Sequence, residues 1–348
     1  MTQTLDWAEV MARVPRERFI PDIIWRHDRT RAGNDLVPVD RRTDPATWAA
    51  LVAAEGPVIT QVDNGHPAAD GTGFEVTSSC SDRVVVREML ELLAPEPGSR
   101  VLEIGTGTGW NAALLAAAGT VVTTIEIDPE VAAQARTRLS PEVTVRTGDA
   151  ATAALGEADH LVATVGVREV PPSWVASTRV GGRLVVPLTN PWYPPGLAVL
   201  ERTNHGMATG YLAGPANFMS LRGEAVSRTR ASDLAPLHTG TTDTHPYHLT
   251  GVRDAAVAIG QRTSGVSFVW RSPDDSSDGV LWLYSEQSWA TIDTTNGSPY
   301  EVEQAGPRQL VDEVLSAYQW WREHGEPLVS DWQVTVTSTG QTITLRSQ

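Results

Sequence analysis

Three glycines and one acid in the middle of the chain have the residue types and spacing that bind a nucleotide-like ligand. Gly105, Gly107 and Gly109 alternate with other residues directly after the apolar run 101–104. Glycines let the backbone approach a ligand closely, and a helix starting behind them offers free N–H groups. Glu126 stands near the end of the next apolar run, where a carboxylate can accept hydrogen bonds from both hydroxyls of a ribose. This pattern predicts a cofactor site built from a strand, a turn and a helix.

The spacing of the glycines argues against a dinucleotide. A dinucleotide-binding turn has its third glycine five positions after the first, which is position 110 here. That position is Trp110. A glycine-rich turn of some other doubly wound domain remains the alternative at this point.

The composition excludes several kinds of chemistry. All 27 basic residues are arginine, so a Schiff-base lysine and a phosphate-loop lysine are both ruled out. The single cysteine, Cys80, has no partner for a disulfide or a thiolate metal site, and we expect no metal. The formal net charge of −15 argues against a nucleic-acid partner.

Length and hydropathy bound the class of protein. A chain of 348 residues with 41% hydrophobic residues is long enough for two domains. No apolar run reaches the roughly 18 residues that span a bilayer, and residues 1–10 do not form a signal peptide. We therefore expect a cytoplasmic protein without a membrane partner, either a monomer or a weak dimer.

Hydrophobic periodicity places these residues on predicted elements. Residues 26–76 are expected to be a long polar loop containing one strand, because turn signals interrupt them throughout. Asp82 is a predicted cap or first-turn acid of a helix over 83–93. The other predicted helices are 5–14, one from Trp110, 129–139 and 307–323, and the predicted strands are 58–62, 101–104, 121–127, 143–145, 159–165, 266–270, 280–284, 332–336 and 342–345.

The central motif resembles that of a known enzyme class. Leu-Glu-Ile-Gly-Thr-Gly-Thr-Gly over 102–109, followed by Ile-Glu-Ile-Asp over 125–128, resembles motif I and the following acid of class I S-adenosylmethionine-dependent methyltransferases. The resemblance implies a Rossmann-like, doubly wound α/β sheet and S-adenosyl-L-methionine as cofactor, with S-adenosyl-L-homocysteine as product.

Further motifs resemble the protein-L-isoaspartate O-methyltransferases over about residues 10–220. Val-Pro-Arg-Glu-Arg-Phe-Ile-Pro over 14–21 is similar to the family's entry segment, and 181–187 to its Gly-Gly-x-Leu-Val-x-Pro segment. Gly-Asp-Ala over 148–150 lies where the family has Gly-Asp-Gly. Ser79 and Ser81 fall on the threonine and serine of the family's Thr-Ile-Ser-x-Pro, although Arg83 replaces the proline. Without the resemblance, these serines would be taken for helix caps.

The resemblance implies a set of site residues. The serines Ser79 and Ser81 are expected to orient the carboxylate that receives the methyl group, and Ser78, Val165 and Gly166 to contact the substrate. The residues expected to bind the cofactor are Glu103, Gly105, Thr106, Gly107, Gly109, Trp110, Asn111, Glu126, Ile127, Asp149 and Ala150.

The chain continues about 130 residues beyond the point where repair enzymes normally end. We therefore expect an N-terminal helix and substrate loop over 1–76, a methyltransferase core over 77–220, and an α+β extension over 221–348 that recognises a peptide.

Three functions follow from this organisation. The extension and the altered serine motif resemble those of a subgroup of the family that modifies ribosomally made peptides (lanthipeptides, lasso peptides or graspetides), and the resemblance implies the same role here. Such an enzyme methylates an aspartate in a constrained precursor peptide, and the ester then closes to an aspartimide. The alternatives are a general isoaspartate repair enzyme and a non-catalytic module that binds S-adenosylmethionine and a peptide.

Overall fold

The computed structural model describes residues 5–28, 30, 35–203, 206–222, 235–272 and 278–346. Within these residues the strands form three sheets: a four-stranded sheet near the N-terminus, a nine-stranded central sheet and a five-stranded sheet in the C-terminal part. No helix in the described part of the chain is long and apolar enough to cross a bilayer.

The N-terminal part is an antiparallel sheet with two helices, in strand order β2-β1-β3-β4. Its elements are α1 (Trp7–Arg13), β1 (Ile23–His27), β2 (Leu36–Asp40), α2 (Pro45–Ala53), β3 (Val58–Val62) and β4 (Val76–Cys80). The strand predicted over 58–62 is confirmed, but the long loop expected over 26–76 is wrong. Pro38 interrupts the strand pattern in the sequence, and the fold tolerates it because β2 is an edge strand that needs no N–H at that position.

The central sheet has the order β18-β17-β11-β10-β9-β8-β5-β6-β7, and the strands from β9 to β7 in this order are parallel. Its first part comprises α3 (Arg83–Leu93), β5 (Arg100–Ile104), α4 (Trp110–Ala117), β6 (Val121–Glu126), α5 (Pro129–Arg138), β7 (Thr144–Thr147), β8 (His160–Ala163), α6 (Pro172–Ser177), β9 (Arg183–Leu188), β10 (Gly196–Arg202) and β11 (Ala208–Leu212). The strand order reverses beside β5, which opens a crevice at the carboxyl ends of β5, β6 and β8. The expected Rossmann-like fold is thereby confirmed.

The C-terminal part adds a second sheet, in the order β12-β16-β15-β14-β13, and two strands of the central sheet. Its elements are β12 (His238–Thr242), α7 (Pro246–Thr250), α8 (Arg253–Arg262), β13 (Ser267–Arg271), β14 (Val280–Tyr284), β15 (Trp289–Asp293), β16 (Tyr300–Ala305), α9 (Leu310–Glu323), β17 (Trp332–Thr337) and β18 (Gly340–Leu345). The hairpin β17–β18 extends the central sheet, because β17 pairs antiparallel with β11. The division of the chain at residues 220 and 221 stays a prediction; the hairpin comes after this division in the sequence but pairs with the central sheet of the core.

The local sequence explains two of the elements that carry the site. In α3 the apolar side chains Val86, Met89, Leu90 and Leu93 are buried on one face, and the Asp82 carboxylate accepts from the first free backbone N–H groups, at Val84 and Val85. In α4 the small side chain of Ala112 is fully buried, so the helix lies close to the sheet. The predictions for both helices are confirmed.

Candidate active site

The glycine turn between β5 and α4 takes a backbone conformation that side chains oppose. Gly105, Gly107 and Gly109 have φ of +90°, +52° and +89°. A Cβ on Gly105 would also lie 2.7 Å from Thr164 Oγ1 and 2.9 Å from a methyl carbon of Val165. Glycine is therefore required at Gly105 by both conformation and space, and the turn stays open toward the crevice.

Glu126 ends β6 directly beside this turn. Its Oε2 accepts from the Gly107 N–H at 2.9 Å, and its Oε1 accepts from the Asp128 N–H at 3.1 Å. Burial raises the pKa of Glu126, while these two hydrogen bonds and the charge of Arg222 act in the opposite direction. The carboxylate thus holds the glycine turn and faces the crevice.

The crevice contains a cavity of about 450 Å³. Its wall is made by β4 and the residues after it, the glycine turn, the ends of β6 and β8, and the segment 217–222. Twelve of the residues expected from the sequence line it: Ser78, Ser79, Ser81, Gly105, Thr106, Gly107, Trp110, Asn111, Glu126, Ile127, Ala150 and Val165. The structure therefore brings most of the predicted cofactor and substrate residues together.

Four expected residues are not among the described residues that line the cavity. Glu103 is fully buried under the turn, where its Oε1 accepts from Asn111 Nδ2 at 2.7 Å and burial raises its pKa to about 7. Gly109 starts α4 and packs against Leu139. Asp149 accepts from the Ala151 N–H at 2.9 Å, as a turn-capping aspartate does. Gly166 is held by backbone hydrogen bonds to the segment 217–222.

The serines predicted to act on the substrate are not helix caps. Ser79 lies in β4, and Ser81 precedes Asp82, which caps α3. Neither the Ser79 nor the Ser81 hydroxyl has a hydrogen-bond partner in the part of the chain that the structure describes. Both side chains line the cavity, so their hydroxyls remain available to a bound molecule.

A buried arginine positions the backbone at Ser81. Arg16 is 2% exposed, and its guanidinium donates to the Ser81 carbonyl at 3.2 Å. It also donates to the carbonyls of Val52, Ala54 and Gly56. Burial is the main cause that lowers the pKa of Arg16. The segment around residues 14–21, predicted only by resemblance, therefore connects α2 to the serine loop.

Sequence reasoning missed several cavity residues, among them Cys80, Thr164 and the segment 217–222. Cys80 and Thr164 carry no distinctive signal in the sequence. The segment 217–222 forms part of the wall, and its Arg222 donates to Asp128 Oδ2 at 2.9 Å. The only sequence signal for Arg222 is that it is a basic residue shortly after Phe218-Met219. This signal does not indicate its partner, because Asp128 is 94 residues away in the sequence.

Comparisons with known proteins agree with this geometry. The family model described as protein-L-isoaspartate(D-aspartate) O-methyltransferase matches residues 68–224. Protein-L-isoaspartate O-methyltransferase 1 of Anaeromyxobacter sp. (strain Fw109-5) is 40% identical over 173 residues, which are 47% of this chain and 80% of the relative. The protein-L-isoaspartate O-methyltransferase of Gloeobacter violaceus is 36% identical over 203 residues, covering 57% of this chain and 80% of the relative.

The chain belongs to the protein-L-isoaspartate O-methyltransferase family. It is an S-adenosyl-L-methionine-dependent carboxyl O-methyltransferase. This assignment excludes the alternative of a non-catalytic module. The residues fit the cofactor, because the open glycine turn and the buried Glu126 carboxylate border a cavity of suitable size.

The fold likeness extends beyond the catalytic core. A solved protein-L-isoaspartate O-methyltransferase structure superposes with a TM-score of 0.51 at 16% identity, covering 99% of this chain and 96% of the other. At this identity the likeness concerns the fold alone. An extension of this size thus occurs in another structure of that description, and its presence does not separate a peptide-modifying enzyme from a repair enzyme.

Proposed function

We propose that this enzyme methylates the free carboxylate of an isoaspartyl residue in a peptide or protein. The observation that supports this most is where the family match lies. Residues 68–224 include every described cavity-lining residue except Pro57. The resemblance therefore includes the reacting site as well as the scaffold around it.

At the cofactor end, we assign the binding groups to the glycine turn and Glu126. Bound S-adenosyl-L-methionine supplies an electrophilic methyl group on a sulfonium. The ionised Glu126 accepts hydrogen bonds from ribose hydroxyls, while Ile127 and Ala150 offer apolar contacts to the base. Asp149 is assigned no direct contact, because it lies outside the cavity lining and caps its own turn.

At the acceptor end, Ser79 and Ser81 orient the substrate carboxylate toward the methyl group. An aspartyl-type carboxylate has an ordinary pKa near 3.9 and is already ionised at neutral pH, so no general base is needed. Orientation and exclusion of water then account for the rate. We assign Val165 and Ser78, which line the cavity, to contacts with the substrate chain, and Gly166 to a supporting role through its backbone bonds to the segment 217–222.

Cys80 does not compete for the methyl group in this scheme. Burial raises the pKa of its thiol to about 11, although Thr108 and nearby arginines act in the opposite direction. The thiol therefore stays protonated at neutral pH, and a thiol is a far weaker nucleophile than a thiolate.

A second candidate function is favoured by the residues around the serines. Arg83 stands at the position of the family's proline and donates to the Val52 carbonyl at 3.3 Å, which links α3 to α2. Ser78 to Ser81 are also richer in hydroxyls than the family's motif. These departures suit an acceptor other than isoaspartate, namely an aspartate in a constrained ribosomally made peptide. The methyl ester would then be attacked by the following backbone amide nitrogen, releasing methanol and leaving an aspartimide.

Mass spectrometry with three matched peptides distinguishes the two functions. The peptides share one sequence and carry isoaspartate, linear aspartate, or aspartate inside a side-chain-crosslinked ring. Repair predicts a methyl gain of about 14 Da on the isoaspartyl peptide alone. Methylation of the ring peptide alone, followed by a net loss of one water relative to the starting peptide, would replace this proposal with the second candidate. The Glu126→Gln variant is the control for cofactor-dependent turnover.

A further inference from the structure

The wall of the cavity includes a segment that is not continuous with the sheet. Residues 217–222 cross the crevice and all line the cavity. The Gly166 N–H donates to the Met219 carbonyl, and the Leu221 N–H donates to the Gly166 carbonyl, both at 2.8 Å. These two bonds attach the middle of this segment, which we call the strap, to the end of β8.

The end of the strap is attached at a second place through Arg222. Its Nη2 donates to Asp128 Oδ2 at 2.9 Å and to Gln61 Oε1 at 3.4 Å. Gln61 Nε2 donates to the same Asp128 oxygen at 3.0 Å, and the Thr77 hydroxyl donates to Gln61 Oε1 at 2.9 Å. Three separate parts of the fold therefore meet at one carboxylate: β3, the start of α5 and the strap.

Asp128 is suited to hold this junction. Its other oxygen, Oδ1, accepts from the backbone N–H groups of Glu130 and Val131, so the carboxylate is fixed at the N-terminus of α5. Burial acts to raise the pKa of Asp128, but the hydrogen bonds from Gln61 and Arg222 and from the helix outweigh it, and the pKa lies below its usual range. The ionised carboxylate is thus a strong partner for the guanidinium.

The junction lies next to the ribose-binding end of the site. The Asp128 N–H donates to Glu126 Oε1, so a shift of Asp128 is transmitted to Glu126. Arg222 is the one basic residue among the described residues lining the cavity. Its side chain is 35% exposed and that of Asp128 is 7% exposed, so the pair is reachable from solvent on the arginine side only. This contact can open without unfolding the core.

We propose that Arg222 is a positioning residue for the cofactor: with Asp128 and Gln61 it forms a clasp that holds the strap over the cavity, and cofactor exchange requires the clasp to open. A ligand enclosed by such a wall leaves only when part of the wall moves. The clasp concerns cofactor binding, which is independent of whether the acceptor is isoaspartate or a constrained aspartate.

The test is the kinetics of S-adenosyl-L-homocysteine binding, followed by stopped-flow tryptophan fluorescence, since Trp110 lines the cavity. In Arg222→Met, association and dissociation rate constants should both rise by about tenfold, because loss of a charge-assisted hydrogen bond lowers the opening barrier by roughly 1.4 kcal/mol. The dissociation constant should change less than either rate. Arg222→Lys keeps the charge but not the forked geometry, and should show a smaller rise in both rates.

Two comparisons isolate the clasp. Arg87→Met is the matched control, because Arg87 forms a comparable ion pair with Glu91 on the outside of α3, away from the cavity. Its rates should equal those of the wild type. Gln61→Leu removes a second part of the clasp, and the Arg222→Met and Gln61→Leu double variant should exchange ligand no faster than Arg222→Met alone.

Two results would overturn the proposal. Unchanged rates in Arg222→Met, or a faster dissociation with unchanged association, would mean that Arg222 does not gate the cavity; the second result would make it a direct ligand contact. If Arg222→Met proved unstable in thermal denaturation, the association and dissociation rate constants of Arg222→Lys and Gln61→Leu decide the question. A rise in both rate constants supports the clasp, and unchanged rate constants contradict it. Failure here leaves the methyl-acceptor assignment untouched, since no acceptor peptide is present.

Discussion

At the scale of single residues, two glutamates on neighbouring strands have opposite roles. Glu103 in β5 and Glu126 in β6 lie on either side of the glycine turn, and both are buried. Glu126 lines the cavity and holds Gly107, whereas Glu103 lies under the turn and accepts from Asn111. The first carboxylate is placed to meet a ligand and the second to support a helix.

Glutamine substitutions of these two residues should therefore separate binding from support. Glu126→Gln removes the charge that strengthens the ribose contact, and should weaken S-adenosyl-L-homocysteine binding by about 1.5 to 3 kcal/mol. Glu103→Gln keeps a carbonyl oxygen for Asn111 and should leave the affinity within about twofold of wild type. Isothermal titration calorimetry measures both. Equal losses in the two variants would contradict this division of roles.

Glu103 should also make stability depend on pH. Burial raises its pKa from 4.5 to about 7 in the folded chain, so the folded state binds the proton more tightly than the unfolded state. Its favourable contribution is complete below pH 4.5 and is lost as the pH rises through 7. The wild-type protein should therefore lose about 2 to 3 kcal/mol of its free energy of unfolding between pH 4 and pH 8 relative to Glu103→Gln, in which residue 103 does not titrate. Urea denaturation across this range is the measurement, and a pH-independent difference would contradict it.

The two serines should affect turnover rather than cofactor binding. Replacing both Ser79 and Ser81 by alanine removes the hydroxyls that we assign to orienting the carboxylate, and should lower kcat by about 100-fold. The affinity for S-adenosyl-L-homocysteine should stay near that of wild type. Ser140→Ala, an exposed serine after α5, is the control. Full activity in the double variant would make the hydroxyls dispensable.

At the scale of elements, the junction between β4 and α3 carries the acceptor side of the site. Ser79 lies in β4, Ser81 follows the end of this strand, and Asp82 caps α3. The Arg16 guanidinium donates to the Ser81 carbonyl. The segment that contains both serines is thus fixed by a strand pairing, a helix cap and a buried guanidinium.

Removing the helix cap should therefore cost activity as well as stability. Asp82→Ala frees two backbone N–H groups and should lower the free energy of unfolding by about 1 kcal/mol. Because the cap is adjacent to Ser81, we also expect reduced methyl transfer. Asp6→Ala is the matched control, since Asp6 caps α1 through the N–H groups of Ala8 and Glu9. It should lose similar stability and keep its turnover; the same activity loss in both variants would point to a general effect of unfolding.

For the molecule as a whole, the C-terminal extension contributes side chains to the core of the central sheet. The hairpin β17–β18 covers the edge of β11, and α8 is packed in the same apolar cluster as β5 and β8. The buried side chains that the extension contributes include Val257, Trp332 and Val334. The extension therefore has a structural role, and its role in peptide recognition stays a prediction.

A chain ending after Arg222 should fail as an isolated catalytic unit. It would expose the pairing edge of β11 and the apolar surface now covered by α8 and β17, which favours aggregation. Size-exclusion chromatography and circular dichroism should show aggregates or loss of cooperative unfolding, whereas a chain ending after Arg346 keeps β18 and should behave as the full chain. A soluble, monomeric 1–222 fragment that binds S-adenosyl-L-homocysteine normally would show that the extension is independent.

The parts of the site that depend on short-range physics could be predicted from the sequence. The turn at Gly105, Gly107 and Gly109 follows from sterics within a few residues, and the helix after Asp82 follows from a cap and an apolar stripe. For the same reason β3 was predicted correctly. The helix α8 was not predicted, because its central residues 255–260 are buried all around and leave no amphipathic pattern.

Which of these residues share a surface depends on the packing of distant segments, and this could not be predicted from the sequence. Glu103 and Glu126 look alike in the sequence, and the packing of α4 over β5 is what turns one away from the cavity. Arg222 and Asp128 are 94 residues apart, and the hairpin joins β11 from the far end of the chain. Such contacts depend on how segments distant in the sequence pack together. They produce no hydrophobic periodicity in either segment, so the sequence pattern does not predict them.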